Sequence, residues 1–231
     1  MPKAGKNARK AAEKVSKDES HDVEGAVNFL KSSSWTKFDE TAELAFRLGV
    51  DPTKSDQAVR GTVGLPHGTG TDVRVVVFAS GDAADAAREA GAAEVGFQEL
   101  IDKVKDGWTD FDVAIATAEA MQEVRKLGKV LGPRGLMPNP RTGTVTEDTA
   151  AAVSQFKAGR VEFKMDKHGN VAVPFGKLSF DTEKLVENAK AVIDAVAQAR
   201  PTAAKGTYIK RAAMSSTMGP GLTIDQKELA V

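Results

Sequence analysis

The chain has 231 residues, 41% of them hydrophobic, which allows one large domain or two of ordinary size with real cores. It has no cysteine, which excludes disulfides and thiolate metal sites and fits a reducing cytoplasm. Its 32 Lys and Arg balance 32 Asp and Glu, which excludes attraction to a polyanion by bulk charge.

That balance hides a division. Residues 68 to 159 carry 10 Lys and Arg against 14 Asp and Glu, leaving 22 against 18 on the flanks. The flanks are therefore the better electrostatic candidates for RNA.

The first seventeen residues hold Lys3, Lys6, Arg9, Lys10, Lys14 and Lys17 without an apolar run, so they make no secretory signal. No stretch reaches membrane-spanning length, and the expectation is a soluble, untargeted protein. Ala8, Ala11, Ala12 and Val15 are spaced for a short surface helix, and Val23, Ala26, Val27 and Leu30 for a second over Val23 to Lys31.

Lys37-Phe38 leads into Asp39, Glu40, Thr41 and Glu43, then Leu44, Ala45 and Leu48, with Gly49 and Asp51-Pro52 as terminators. An exposed Phe38 beside Lys37 offers a stacking platform next to a phosphate partner. The competing reading places Phe38 in a core and the acids on a solvated face.

Gln57 to Leu65 reads as a strand, broken by Pro66-His67-Gly68-Thr69-Gly70. A dinucleotide loop needs its glycines between a strand and a helix, whereas this loop feeds another strand, Val73 to Ala79. Residues 65 to 70 therefore read as an interdomain hinge. Helical and strand patterns then alternate. Val73 to Ala79, Val95 to Phe97 and Asp112 to Ala116 are strands; Ala83 to Ala90, Phe97 to Val104, Glu119 to Leu131 and Glu147 to Phe156 are helices. Alternation of this kind predicts an α/β layer with right-handed crossovers.

Beyond Gly159, Arg160 to Met165 and Val171 to Phe175 read as strands joined by a turn at Asp166 to Asn170. A helix follows over Thr182 to Ala199, with Asp181 as its cap. Thr207 to Met214 is the last strand, delivering the loop Ser215-Ser216-Thr217-Met218-Gly219-Pro220-Gly221. No acid occurs between Asp194 and Asp225, while Arg200, Lys205, Lys210 and Arg211 do. Three hydroxyls suit phosphates and ribose 2′-hydroxyls, Gly219 and Gly221 admit a foreign backbone, and Met218 adds an adaptable apolar surface. An ordinary Ser/Gly/Pro loop would have the same composition.

Several of these stretches carry a resemblance. SSTMGPG after KGTYIK, KFDETAEL at 37 to 44, SDQAVRGTVGLPHGTG at 55 to 70, LGPRGLMPNPRTGTV at 131 to 145 and GKLSF at 176 to 180 resemble the family of bacterial large-subunit ribosomal protein one. They occur in that family's order across nearly the whole chain. The resemblance implies α/β architecture: a discontinuous, helix-backed sheet domain from residues 1–67 and 160–231, and an inserted Rossmann-like domain over 68–159, with hinges near 65–70 and 158–160. It implies a non-enzymatic, cytoplasmic protein, monomeric off the ribosome and without cofactors, that binds 23S rRNA at the mobile stalk. Exit-site tRNA and the protein's own mRNA are further implied partners. The residues implied to contact rRNA are Lys37, Phe38, Thr41, Glu43, Ser215, Ser216, Thr217, Met218 and Gly219. Many members carry a histidine where this chain has Ala172, which leaves one contact in doubt.

Catalytic readings find less support. His21, His67 and His168 lie far apart, and no HExxH, GxSxG or Cys-rich ligand spacing occurs, so no metal site is expected. The loop from Gly132 to Gly143 presents Arg134 and Arg141 among glycines and prolines. It fits either a rigid protruding loop or the anion site of a small nucleotide-binding enzyme.

Overall fold

The structure, a computed structural model, describes residues 5–12, 15 and 19–229. The charges of Lys3, Lys14 and Lys17 lie outside them. The chain falls into two compact units, one from residues up to Gly70 together with those from Val161 on, the other Thr71–Arg160. Both are α/β.

In the first unit the helices α1 (Lys6–Ala12), α2 (Val23–Ser33) and α8 (Thr182–Gln198) accompany a five-stranded sheet. Its strands are β1 (Ser20–His21), β2 (Thr41–Leu48), β8 (Asn170–Lys177), β9 (Ile209–Ser216) and β10 (Leu222–Ile224). They lie in the order β1-β10-β9-β2-β8, so strands from both ends of the chain are interleaved in one sheet. β1 runs parallel to β10 and the other pairs are antiparallel. Side chains in a strand alternate between faces. Ala42, Leu44, Phe46 and Leu48 of β2, Val171, Val173 and Phe175 of β8, and Ala212 and Met214 of β9 therefore turn one way, into a core shared with α2 and α8. Thr41, Glu43, Ala45 and Arg47, with Ala172, Arg211, Ala213 and Ser215, lie on the opposite, more accessible face.

A separate two-stranded sheet pairs β3 (Arg60–Gly64) with β7 (Arg160–Lys164). Arg60 Nε donates to Glu162 Oε1 across it at 2.7 Å. Asn188, fully buried on α8, accepts from the His67 N–H at 3.1 Å. It donates to the Gly68 carbonyl at 3.0 Å and the Phe175 carbonyl at 2.8 Å.

The second unit has a parallel sheet in the order β5-β4-β6, where β4 is Val75–Phe78, β5 Glu94–Gly96 and β6 Val113–Ala116. Val75, Val77 and Ile115 pack with α3 (Asp82–Glu89) and α7 (Thr149–Lys157). Val76, Phe78, Ala114 and Ala116 pack with α4 (Gln98–Lys105), α5 (Met121–Val124) and α6 (Gly128–Leu131). A sheet covered on both faces explains the unbroken apolar run of β4.

Several local expectations need correcting. The strand expected to stop at Met214 continues through Ser216, because pairing of Ala42 with Ser216 and Glu43 with Ser215 extends the ladder. The strand expected over 57 to 65 contracts to Arg60–Gly64, preceded by a 3-10 turn at Ser55–Gln57. The helix expected over 119 to 131 is broken by 3-10 geometry at Arg125–Leu127. Asp181 precedes α8 without a capping hydrogen bond and pairs with Lys184 at 2.8 Å instead.

Candidate nucleic-acid interface

Glu40 organises the region. The residue reads as one acid among three in a polar run, yet it is only 1% exposed. Its two carboxylate oxygens divide between two loops. Ser34 Oγ donates to Oε1 at 2.7 Å, and Thr36 Oγ1 lies 2.9 Å from Oε1 and 2.9 Å from the Phe38 carbonyl, with one proton between them. Ser216 Oγ donates to Oε2 at 2.7 Å and the Met218 N–H at 3.0 Å. Burial pushes the carboxyl up, but these hydrogen bonds outweigh it and hold Glu40 below the ordinary carboxylate range.

The loops tied in this way display Phe38, 55% exposed, and Met218, 50% exposed, the two exposed large hydrophobics among the described residues. The stacking reading of Phe38 is thus compatible with its position, and the core reading is not. Lys37 is exposed beside it. Thr217 Oγ1 accepts from the Thr41 N–H at 3.1 Å, closing the C-terminal loop onto the start of β2.

Thr41, Glu43 and Ser215 reach the accessible sheet face. Thr41 Oγ1 accepts from Lys177 Nζ at 2.8 Å, and Glu43 lies opposite Ser215. Ser216 does not join them. The extended ladder gives it the inward parity of Ala212 and Met214, so it is buried and its hydroxyl donates to Glu40 rather than facing outward. Gly219 also has a packing role, since a Cβ there would lie 2.3 Å from Ser216 Oγ. Ala172 is exposed opposite Ala45 and lies on the same face.

Sequence reasoning missed Lys177 and Arg47 here besides Glu40, and marked Arg211 only as one base of the acid-free window, not as the partner of Arg47. Lys177 sits in the GKLSF stretch and could have been found from it. Arg47 and Arg211 are opposite each other in the register of β2 and β9. Arg47 donates to Asn170 Oδ1 at 3.1 Å and Arg211 to Thr223 Oγ1 at 2.7 Å, so neither charge is neutralised by an acid in these contacts. Like charges opposite each other across strands are unfavourable without a counter-anion. The signal for Arg47 was a period-two pattern, legible only once Lys37 to Leu48 was known to end in a strand.

The Gly132 to Gly143 loop turns its polar groups on itself. Asn139 Oδ1 accepts from the Arg141 N–H at 2.8 Å, and Thr144 Oγ1 accepts from the Asn139 N–H at 2.7 Å. Thr142 and Thr144 are buried, and Arg134 donates to Thr109. This is the wiring of a rigid loop. His168 is exposed in the turn after β7.

Comparisons with known proteins agree along the chain. The chain is 55% identical over 223 residues to the large ribosomal subunit protein uL1 of Limosilactobacillus fermentum, covering 96% of this chain and 97% of that protein. It is 55% identical over 225 residues to the proteins of the same name from Beutenbergia cavernae and Streptomyces coelicolor, covering 97% of this chain and 94% and 93% of theirs. The profile of the ribosomal protein L1p/L10e family matches residues 30–220, which takes in both loops held by Glu40, the open sheet face and the rigid loop. The chain therefore belongs to the ribosomal protein L1p/L10e family, whose members are structural rather than enzymatic.

Proposed function

We propose that this chain is a structural protein of the large ribosomal subunit that binds 23S rRNA at the mobile stalk through the surface centred on Glu40. The observation that carries the reading is the display of Phe38 and Met218 by two loops from opposite ends of the chain, hydrogen-bonded to one carboxylate. Exposed apolar side chains beside hydroxyls suit unstacked bases and ribose, and this recognition needs no large basic surplus. Lys37, Phe38, Thr41, Glu43, Ser215, Thr217, Met218 and Gly219 form the contact surface, with Ser216 behind it. Arg47 and Arg211 supply phosphate contacts on the adjoining face.

In this reading residues 1–67 and 160–231 form the rRNA-binding domain. Residues 68–159 form the inserted domain, joined through hinges near 65–70 and 158–160, and assist release of deacylated tRNA from the exit site. An mRNA folded like the rRNA site would compete for the same surface, giving repression of the protein's own translation.

The test is crosslinking of the protein to RNA in cell extract, followed by identification of both joined partners. Peptides containing 37–43 and 215–219 should be attached to 23S rRNA. Crosslinks that avoid both peptides would reject the surface, and absence of 23S rRNA among the products would reject the partner.

A further inference from the structure

We propose that Glu40 is a positioning residue that preforms the rRNA-binding surface before RNA arrives, each carboxylate oxygen holding one of the two loops. This deepens the rRNA-binding reading above and rests on it. Oε1 serves the segment leading to Phe38, through Ser34 and Thr36, and Oε2 serves the segment carrying Met218, through the Ser216 hydroxyl and the Met218 N–H. The groups around the carboxylate are donors, and an ionised carboxylate is a pure acceptor on both oxygens. Glutamine has the same shape but keeps only one acceptor oxygen, which the donor-only Met218 N–H claims. Its NH2 then faces Ser34 and Thr36, whose hydroxyls must turn round to accept, and all four bonds lose the strength that the carboxylate charge gives them.

The other ties of these loops, Asp39 accepting from the Ser179 N–H and hydroxyl and Thr217 Oγ1 accepting from the Thr41 N–H, hold neighbours of Phe38 and Met218 rather than those residues themselves. The residues from Ser34 to Glu40 lie outside any helix or strand, and Thr217 to Gly221 follow the end of β9. Ordering such loops at the moment of binding costs affinity, and a surface already ordered avoids that cost. If only a fraction of molecules is binding-competent, the apparent dissociation constant rises in inverse proportion to that fraction.

This gives Glu40 a kinetic signature that a contact residue lacks. Loss of preorganisation lowers the apparent association rate, whereas loss of a direct contact is felt mainly in dissociation. The experiment compares the full-length wild type with Glu40→Gln, Met218→Ala and the double variant Ser34→Ala/Thr36→Ala. It measures binding to purified 23S rRNA by surface kinetics, and hydrogen exchange of the Met218 and Gly219 amides in the free proteins.

Glu40→Gln is expected to lower the association rate about tenfold and leave dissociation within about twofold, with faster exchange at Met218. Met218→Ala should raise the dissociation rate instead. Wild-type association by Glu40→Gln, or unchanged exchange at Met218, overturns the proposal. If Glu40→Gln does not fold, the double variant decides the same question at the Oε1 loop, since Ser34 is exposed and Thr36 partly so. A slowed association supports the proposal and a wild-type rate overturns it. Should the wild type fail to bind 23S rRNA, the rRNA reading fails, while amide exchange still decides whether Glu40 holds the loops.

Discussion

Ser216 Oγ donates a 2.7 Å hydrogen bond to Glu40 Oε2 across a sequence separation of 176 residues, and both groups are buried. The bond joins the start of β2 to the end of β9, so the two ends of the chain share one polar anchor. Removing the acceptor leaves buried donors without partners, which is costly in a way that removing both sides is not.

Glu40→Ala is accordingly expected to lower unfolding free energy by about 2 to 4 kcal/mol, read as a shifted urea midpoint at constant slope. The contribution depends on pH. Because the folded-state carboxyl is held below its ordinary range, its stabilisation is fully present above that range and is lost as pH falls through the folded value. The gap between wild type and Glu40→Ala should therefore narrow in acid from below about pH 5. A gap of constant size down to the acid transition contradicts this account.

Phe38→Ala and Met218→Ala each remove an exposed apolar side chain and little packing. Each should weaken binding to 23S rRNA by about 1 to 3 kcal/mol, while stability stays within about 0.5 kcal/mol of wild type. Filter binding and thermal melts read the two effects separately. Wild-type affinity in a Thr217→Ala/Met218→Ala double variant would remove the C-terminal loop from the interface.

The two glycines of this loop separate packing from mere flexibility. A Cβ on Gly219 would meet Ser216 Oγ at 2.3 Å, whereas nothing lies within 4 Å of one on Gly221. Gly219→Ala should destabilise by about 1 to 3 kcal/mol as Ser216 is pushed from Glu40, and Gly221→Ala should change stability by less than about 0.5 kcal/mol. Equal melting temperatures for the two variants would contradict the geometry.

Tyr208 provides an alkaline counterpart. Its hydroxyl is buried without a hydrogen-bond partner, and burial pushes the phenol up to about 12 against the opposing charge of Arg200. The folded state then retains a proton that the unfolded state releases, so this contribution to stability is present below about pH 10 and is lost as pH rises towards about 12. Tyr208→Phe should be as stable as wild type or more so by about 1 kcal/mol at neutral pH, and should lack this component of the alkaline loss. Tyr208 is the single tyrosine of the chain, so phenolate absorbance follows it directly. A phenol titrating at its ordinary value would refute the burial argument.

The sequence by itself determined the α/β class and most elements, because hydrophobic spacing is local: four apolar residues mark α2, and an unbroken run marks β4 as covered on both faces. It also marked the hydroxyl-rich loop and Lys37-Phe38, through chemistry and an absence of acids that need no partner to be seen. Only the tertiary structure decided which polar groups face outward. Two further residues of ladder turned Ser216 inward, since parity in a strand is set by pairing with β2 rather than by composition. Glu40, indistinguishable in sequence from its acidic neighbours, became the buried anchor because its hydrogen-bond donors come from both ends of the chain and meet only when β2 and β9 pair.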